Sequence, residues 1–212
     1  MAIKATLVKE LRDRSGAGFM DCKQALEEAA GDLERATEIL RQKGLAAAGR
    51  RAGRPTREGA VGSYVHAGGR IGVLVEVNCE TDFVARTGEF QGLLKDLAMH
   101  VAASAPQFLR RDEVPPAVLD RERRIFQEQA RSSGKPEKVW ENMVQGRLEK
   151  FYAEQCLEEQ PFVRDPNITV RERIQGVIQK TGENIRVSRF ARFVLGDCDA
   201  GPASTPAGPP GA

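Results

Sequence analysis

Two histidines are the residues of this sequence best suited to general acid–base chemistry. His66 comes directly before a Gly-Gly pair, which predicts an exposed position at the tip of a hairpin. His100 lies near Leu97 and Val101 on an amphipathic helix, where the simplest interpretation is a packed or surface residue. Neither histidine belongs to a catalytic pattern of nucleophile and base. His66 is therefore better placed to contact a partner than to transfer protons.

Four cysteines are a second possible source of chemistry. Cys22, Cys79, Cys156 and Cys198 are widely scattered, and no pair has the spacing of zinc ligands or of a redox motif. We interpret them as the reduced thiols of a cytosolic protein. Cys198 is an open exception, because a thiol in the C-terminal tail could link two chains.

The rest of the sequence lacks the signatures of common enzyme classes. The stretches "GAGFMD" and "GGRIG" match neither the dinucleotide fingerprint nor the Walker spacing, and no metal, cofactor or catalytic residue is predicted. The 32 basic and 30 acidic residues leave a net charge of +2, which disfavours a general nucleic-acid binder. No apolar run can span a membrane and no targeting signal opens the chain, which predicts a cytoplasmic protein.

The stretch "CETDFVAR" places a large aromatic side chain at a corner between two elements. A buried strand precedes it, an amphipathic helix follows it, and Thr81 or Asp82 is suited to capping that helix. Phe83 either packs inside or points outward to a partner. The following helix already has a full apolar stripe, which favours the outward position; its members are Phe90, Leu93, Leu94, Leu97 and Val101.

The elements that must position these residues begin with a small domain of three helices, residues 1–48. Apolar residues recur at helical spacing in three segments, and Gly16, Gly31 and Gly44 are expected to end them. Asp32 is predicted to cap the third helix. Residues 49–58 are typical of a solvated linker, since no aromatic residue there could stack on RNA bases beside its arginines, Arg50, Arg51, Arg54 and Arg57.

Residues 59–196 are predicted to form an α+β core domain. Alternating residues before and after Gly68-Gly69 predict a β-hairpin, and "NIRVSRFARFVL" predicts a third strand of an antiparallel sheet. Helices are expected near residues 89–105, 116–133 and 136–159, the last two forming an antiparallel pair, and in "TVRERIQGVIQ" after a capping Thr169. The fold class is therefore α+β, with a sheet covered by helices and a projecting helical hairpin. Residues 197–212 are predicted to be a disordered tail.

Four separated stretches of this sequence resemble one known family. They are "LVKELRDRSGAGFMDCKQAL", "EVNCETDFVA", "MHVAASAP" and "MVQGRLEKFYAEQCLEEQPFV". In this order they look like translation elongation factor Ts, from about Ala2 to Gly196. The resemblance implies a guanine-nucleotide exchange factor that promotes GDP release from the GTPase elongation factor Tu. The small helical domain also resembles ubiquitin-associated domains.

The resemblance also implies which residues contact the partner. The matching Thr-Asp-Phe of the family inserts between helices of the GTPase domain and disturbs its magnesium and phosphate site, and here it is Thr81-Asp82-Phe83, followed by Val84. A second contact with the GTPase domain is implied for Arg12, Phe19, Met20 and Lys23. His66 matches a family histidine on a hairpin tip that contacts the partner away from its nucleotide domain.

One departure from the longer members of the family bears on the oligomeric state. The motifs "SYVH" and "TDFVA", which those members carry on two core subdomains, lie here on one core unit. We therefore predict a homodimer through the sheet that binds two partner molecules. Two other functions stay open at this point. One is an adaptor that binds without exchange, and the other is an RNA-binding dimer that uses the arginine-rich linker, against which the low net charge argues.

Overall fold

The computed structural model describes residues 3–197, so the predicted tail from Cys198 onward and its thiol lie outside the described residues. Within that range, no helix is long and apolar enough to cross a bilayer. The helices are α1 Ala5–Ser15, α2 Phe19–Glu28, α3 Leu33–Arg51, α4 Asp82–Ala85, α5 Gly88–Ser104, α6 Pro116–Arg131, α7 Trp140–Gln155 and α8 Val170–Thr181. The strands are β1 Glu58–Val65, β2 Ile71–Cys79, β3 Pro161–Phe162, β4 Asp165–Thr169 and β5 Ile185–Val194.

The three-stranded antiparallel sheet has the order β1-β2-β5, which confirms the α+β class with helices preceding the sheet. Alternate residues of the central strand β2 are buried, and Leu74 lies exposed between Val73 and Val75. A small second sheet, β3-β4, was not predicted from the sequence. Its two short strands contain two prolines and no alternating apolar pattern that would indicate a strand.

Contacts between residues group the chain into two compact units. Unit 1 comprises Met1–Val61, Glu76–Leu94 and Glu172–Ser188. Unit 2 comprises Gly62–Val75, Lys95–Arg171 and Arg189–Ala212. The predicted domain of residues 1–48 thus lies in one unit with two later segments. The predicted domain boundaries, with domains at residues 1–48 and 59–196, stay a prediction.

The first three helices of unit 1 enclose a small apolar core of their own. As predicted, Asp32 caps α3, since its Oδ1 accepts hydrogen bonds from the amides of Glu34 at 2.9 Å and Arg35 at 3.0 Å. Gly16 ends α1 in the left-handed region at φ 67°, where its amide donates to the Arg12 carbonyl. The buried members of this core are Val8, Leu11, Ala17, Cys22, Ala25, Leu26, Ala29, Ala36 and Leu40.

The end of α3 differs from the sequence prediction. Gly44 does not end the helix, which continues to Arg51 through a run of alanines with high helix propensity. Gly44 is a buried residue inside the helix, and a β-carbon there would lie 2.7 Å from the Gln179 Oε1 atom of α8, an approach that rotation of this flexible side chain relieves. The prediction was wrong because a glycine inside a helix has the same sequence signal as a glycine that stops a helix.

The predicted linker, residues 49–58, is shorter than expected. Its first three residues belong to α3 and Glu58 begins β1. The remaining segment is anchored within unit 1, since the buried Asn184 side chain donates to the carbonyls of Ala52 at 3.3 Å and Arg54 at 2.8 Å. Arg54 also approaches the Glu80 carboxylate at 3.5 Å. Most residues of this segment are exposed to solvent, and its role as a linker stays a prediction.

Unit 2 contains the predicted pair of helices, α6 and α7. Ala130 of α6 is buried with Val144 and Leu148 of α7. Both helices are shorter than predicted, since α6 ends at Arg131 and α7 begins at Trp140 after a 3₁₀ turn at Glu137–Val139. Gly134 at φ 70° and Pro136, which keeps Lys135 out of the helical conformation, interrupt the chain between the two helices.

His100 is fully buried in unit 2 and makes two hydrogen bonds. Its Nε2 lies 2.9 Å from the Gln160 Oε1, and its Nδ1 accepts from the Val163 amide at 3.2 Å. The Gln160 Nε2 donates to the carbonyls of Ser104 and Glu154, so its Oε1 is left to accept from the imidazole. This network fits a neutral ring, and burial lowers the pKa of His100 below its ordinary value of 6.5.

We expect the free energy of unfolding to decrease as the pH falls below 6.5, the ordinary pKa of histidine. The unfolded chain binds a proton at His100 before the folded chain does, so stability is lost by at most about 1.4 kcal/mol per pH unit. Denaturant unfolding between pH 7.5 and 5.5 measures this loss. His66→Gln should retain the dependence and His100→Gln should flatten it, and the opposite result would assign the loss to the exposed histidine.

Candidate functional site

Asp82 and Phe83 are the residues predicted to insert into the partner, and we call them the wedge. The turn that carries them begins where β2 ends. Thr81 is the N-cap of α4, because its Oγ1 accepts a hydrogen bond from the Val84 amide at 3.4 Å. Asp82 is the first residue of α4, and its carboxylate pairs with Arg86 at 2.8 Å. The cap is thus Thr81, one of the two predicted candidates. The capped helix is the four-residue α4, while α5 begins separately at Gly88.

Every polar group of Thr81 has a partner within unit 1. Its amide donates to the Glu183 Oε2 at 3.0 Å, and its hydroxyl donates to the Glu183 Oε1 at 2.7 Å. Its carbonyl accepts from the Cys79 thiol at 3.1 Å and from the Ala85 amide at 3.3 Å. The turn is therefore held by hydrogen bonds to Glu183, to Cys79 and to the backbone of α4.

The Cys79 thiol acts as a hydrogen-bond donor at this turn. Burial, with a smaller contribution from the negative charge of Glu183, raises the pKa of Cys79 to about 11. The thiol therefore stays protonated at neutral pH and continues to donate to the Thr81 carbonyl. It is a structural thiol, which agrees with the sequence interpretation.

Phe83 points away from the protein core. Its side chain is 76% exposed, while the next two residues, Val84 and Ala85, are buried. The prediction that Phe83 is exposed rather than packed inside is confirmed. Phe83 is therefore a large apolar side chain that is exposed to solvent on a hydrogen-bonded turn.

The four residues of the predicted second contact are exposed on α1 and α2. Phe19 and Met20 open α2 and are 50% and 69% exposed. Lys23 lies one turn further along α2, so it shares a face with both, and its Nζ lies 4.0 Å from Glu27. Arg12 is exposed in the last turn of α1. All four are accessible to a partner.

His66 lies in unit 2, in the turn between β1 and β2. Its amide donates to the Ile71 carbonyl at 2.9 Å, and its carbonyl accepts from the Gly69 amide at 2.9 Å. Its imidazole is exposed, and the Nδ1 lies 3.1 Å from the Tyr64 hydroxyl. Tyr64 and the hairpin turn therefore orient the ring at the surface.

The structure places most of the predicted contact residues in unit 1. Thr81, Asp82, Phe83 and Val84 lie there, as do the residues on α1 and α2, whereas His66 belongs to unit 2. Sequence reasoning missed Glu183, which lies 102 positions from Thr81 along the chain. The available signal was "TGEN" between α8 and β5, where Gly182 adopts φ 77°. A tight turn at Gly182 fixes the direction in which the chain continues through Glu183 and Asn184.

Comparison with known proteins identifies the family. The family model "Elongation factor TS" matches residues 36–197. A protein named elongation factor Ts from Geobacter sulfurreducens is 59% identical over 93% of this chain and 91% of its own length. Proteins of the same name from Carboxydothermus hydrogenoformans and Fervidobacterium nodosum are 58% and 55% identical, over 92% and 93% of this chain and 90% and 100% of their own lengths.

This chain belongs to the elongation factor Ts family. Elongation factor Ts is the nucleotide exchange factor for elongation factor Tu and is not an enzyme, so the predicted function is confirmed. The family match includes His66 and Thr81–Val84 but begins after the exposed residues of α1 and α2. The part of this chain that the structure describes holds no cluster of side chains that could bind a metal ion.

Proposed function

We propose that this chain accelerates GDP release by inserting Asp82 and Phe83 into the GTPase domain of elongation factor Tu and disturbing its magnesium and phosphate site. The observation that carries the proposal is the 76% exposure of Phe83 on a turn whose anchor, Thr81, is fully hydrogen-bonded. An aromatic side chain that becomes buried in a partner pocket supplies several kcal/mol of binding free energy. Magnesium bridges nucleotide and protein, so a displaced magnesium ligand weakens nucleotide retention.

The exchange effect requires differential binding. Because coupling between two ligands is reciprocal, a factor that weakens GDP binding is itself bound more weakly when GDP is present. Phe83 must therefore fit a conformation of the partner that the nucleotide disfavours. This requirement is met by a wedge that occupies space between partner helices, and it needs no catalytic group.

We further propose that the exposed face of α1 and α2 forms a second contact with the same GTPase domain. Phe19 and Met20 supply apolar area, and Arg12 and Lys23 supply positive charge at its edge. Exposed large apolar side chains flanked by charges are typical of protein–protein contacts. His66, oriented by Tyr64, is proposed to contact a different domain of the partner.

Release of fluorescently labelled GDP from elongation factor Tu tests the proposed function directly. The rate should rise with the concentration of this protein and reach a plateau once the partner is saturated. Binding of the two proteins without any change in the release rate would instead favour an adaptor. A salt-sensitive affinity for RNA that exceeds the affinity for elongation factor Tu would favour the RNA-binding alternative.

We also propose that two copies of this chain associate through the sheet and bind two molecules of elongation factor Tu. Four large apolar side chains are exposed at the hairpin end of the sheet in unit 2: Val65, Leu74, Phe193 and Leu195. There the Leu195 amide donates to the Arg70 carbonyl at 2.8 Å, next to the hairpin turn. A second copy that covers this patch would remove it from water, which is the usual fate of an apolar patch on a soluble oligomer.

Phe193→Asp is expected to convert the dimer into a monomer, because the charge would be buried at the centre of the apolar patch. Light scattering over a concentration series measures the mass, with 23.2 kDa expected for one chain. Ile125→Asp on α6 is the matched control, since Ile125 is an exposed apolar residue outside the patch and its replacement should leave the dimer intact. A monomeric mass for the unmodified chain at every concentration would refute the dimer.

Cellular location and two helical modules complete the proposal. We propose a cytoplasmic location, as expected for a partner of elongation factor Tu. The helices α1 to α3 are proposed to be a ubiquitin-associated-like binding module, and α6 with α7 a projecting helical hairpin. The three-helix core and the packing of α6 on α7 support these two assignments.

A further inference from the structure

The turn between α8 and β5 contacts the wedge turn through two adjacent residues of unit 1. Glu183 accepts both hydrogen bonds from Thr81, one from the amide at 3.0 Å and one from the hydroxyl at 2.7 Å. The Asn184 amide donates to the Glu80 carboxylate at 2.6 Å, directly before Thr81 in the chain. This turn is therefore joined to the base of the wedge from outside the β2–α4 segment itself.

We propose that Glu183 is a positioning residue for nucleotide exchange, which acts by fixing the turn that presents Asp82 and Phe83. The inference rests on the proposed wedge function, because Glu183 has a role in exchange only if Phe83 enters the partner. Glu183 itself need not contact elongation factor Tu. Its carboxylate faces Thr81, the N-cap of the helix on which Phe83 lies.

A carboxylate is the side chain that suits this arrangement. It offers two oxygens that only accept, so it can take the amide hydrogen and the hydroxyl hydrogen of Thr81 together. With its hydrogen given to Glu183, the Thr81 hydroxyl presents a lone pair to the Val84 amide at 3.4 Å. The result is a chain of hydrogen bonds from Glu183 through Thr81 to α4, in which each bond strengthens the next.

The wedge helix needs this external support because it is short. The four residues of α4 are too few to form a stable helix alone, since the first turn of a helix is costly to order. Only Val84 and Ala85 of this helix are buried, and Phe83 makes no contribution to its anchoring while it is exposed. Without Glu183, the turn would sample other conformations, and a misplacement of about 1 Å can slow a geometry-dependent step strongly.

Glu183 is itself held in place by its neighbour. Asn184 is buried, and its side chain donates to the carbonyls of Ala52 and Arg54 after α3. Gly182 precedes Glu183 at φ 77° and lets the chain turn sharply at the end of α8. The backbone of Glu183 is thus fixed by the turn at Gly182 and by the hydrogen bonds of Asn184, and it places the carboxylate next to Thr81.

Glu183→Ala is expected to lower the maximal rate of GDP release about tenfold, because both hydrogen bonds from Thr81 are lost and water replaces part of their contribution. The concentration of this protein that gives half of the maximal rate should change little, since α1 and α2 still bind. Glu183→Gln should be intermediate, because an amide retains one acceptor. Glu38→Gln on the exposed face of α3 is the matched control for the lost charge and should leave the rate unchanged.

A double-mutant cycle with Phe83→Ala separates positioning from general stability. If Glu183 acts through Phe83, Glu183→Ala should add nothing to the effect of Phe83→Ala. A tenfold further decrease in the double variant would overturn the proposal, because it would show that Glu183 acts independently of the wedge. Equal rates for Glu183→Ala and the unmodified protein, while Phe83→Ala slows release, would also overturn it and would leave the proposed function intact.

Amide hydrogen exchange gives a readout that does not depend on elongation factor Tu. The Thr81 and Val84 amides should exchange faster in Glu183→Ala than in the unmodified protein, while the amides of the α1–α3 core stay protected. If Phe83→Ala leaves GDP release unchanged, the proposed wedge function fails, and the role of Glu183 in exchange fails with it. Unchanged protection at Thr81 would refute the positioning itself, whatever the exchange assay shows.

Discussion

Phe83→Ala is expected to slow the release of GDP from elongation factor Tu about 30-fold, with little change in the stability of this protein. The factor corresponds to about 2 kcal/mol, the loss typical of an aromatic anchor at the centre of a protein interface. Because Phe83 is 76% exposed, its removal leaves no cavity in the folded chain. The replacement therefore tests the rate of GDP release without lowering the stability of the chain. Replacement of a buried aromatic residue such as Phe90 would lower the stability as well.

Stopped-flow release of labelled GDP at saturating exchange factor is the measurement, with denaturant unfolding as the stability control. Ile125→Ala provides the matched variant, because Ile125 is also an exposed apolar residue and lies outside the proposed contacts. Phe83→Leu should retain part of the rate, since leucine keeps apolar volume without the flat ring. An unchanged release rate in Phe83→Ala, combined with a slower rate in Met20→Ala, would move the exchange effect from the wedge to the face of α1 and α2.

The division between what the sequence predicts and what it does not is clear at the wedge itself. The cap at Thr81 and the outward Phe83 follow from local rules, because a capping residue and a surplus aromatic side chain are both visible within eight residues. The stretch "TGEN" predicts a tight turn at Glu183, but no local rule predicts the contact of Glu183 with Thr81, which spans 102 positions and depends on where α8 ends. A position of this kind emerges only when the chain is folded.

Gly44 shows a second limit, which concerns the meaning of a glycine. Glycine occurs both inside helices and directly after their ends, so a single sequence cannot distinguish the two positions. The structure distinguishes them because α3 continues through Gly44 to Arg51. The consequence for function is that α3 extends as far as Arg51, and that the Asn184 side chain bonds the carbonyls that follow it.

His100 shows a third limit, since burial was one of two interpretations of its place on an amphipathic helix. Its ring donates a hydrogen bond to Gln160 and accepts one from Val163, residues that lie about 60 positions later in the chain. The sequence contains no feature that selects these partners in advance. Histidine buried without charge is nevertheless a common outcome where both ring nitrogens find neutral partners.

Gly59→Ala is expected to lower the free energy of unfolding by about 3 kcal/mol. Gly59 has φ 149°, a conformation that residues with a β-carbon rarely adopt and that costs them about 1–3 kcal/mol. A β-carbon there would overlap the Val77 carbonyl oxygen and lie 2.7 Å from the Asn78 Cα. Both are backbone atoms of the central strand, so they cannot rotate away as a flexible side chain would, and overpacking adds a cost of similar size.

Thermal unfolding measures this loss, which corresponds to a decrease in Tm of roughly 10 °C for a chain of this size. Gly72→Ala is the matched control within the same sheet, because a β-carbon at that position would have no atom within 4 Å. Its Tm should stay within a few degrees of the unmodified protein. Equal Tm values for the two variants would mean that β1 shifts to accommodate the methyl group. If β1 does not shift, Gly59→Ala should also speed amide exchange at Val77 and Asn78, because the strain acts on the strand that leads into the Thr81 turn.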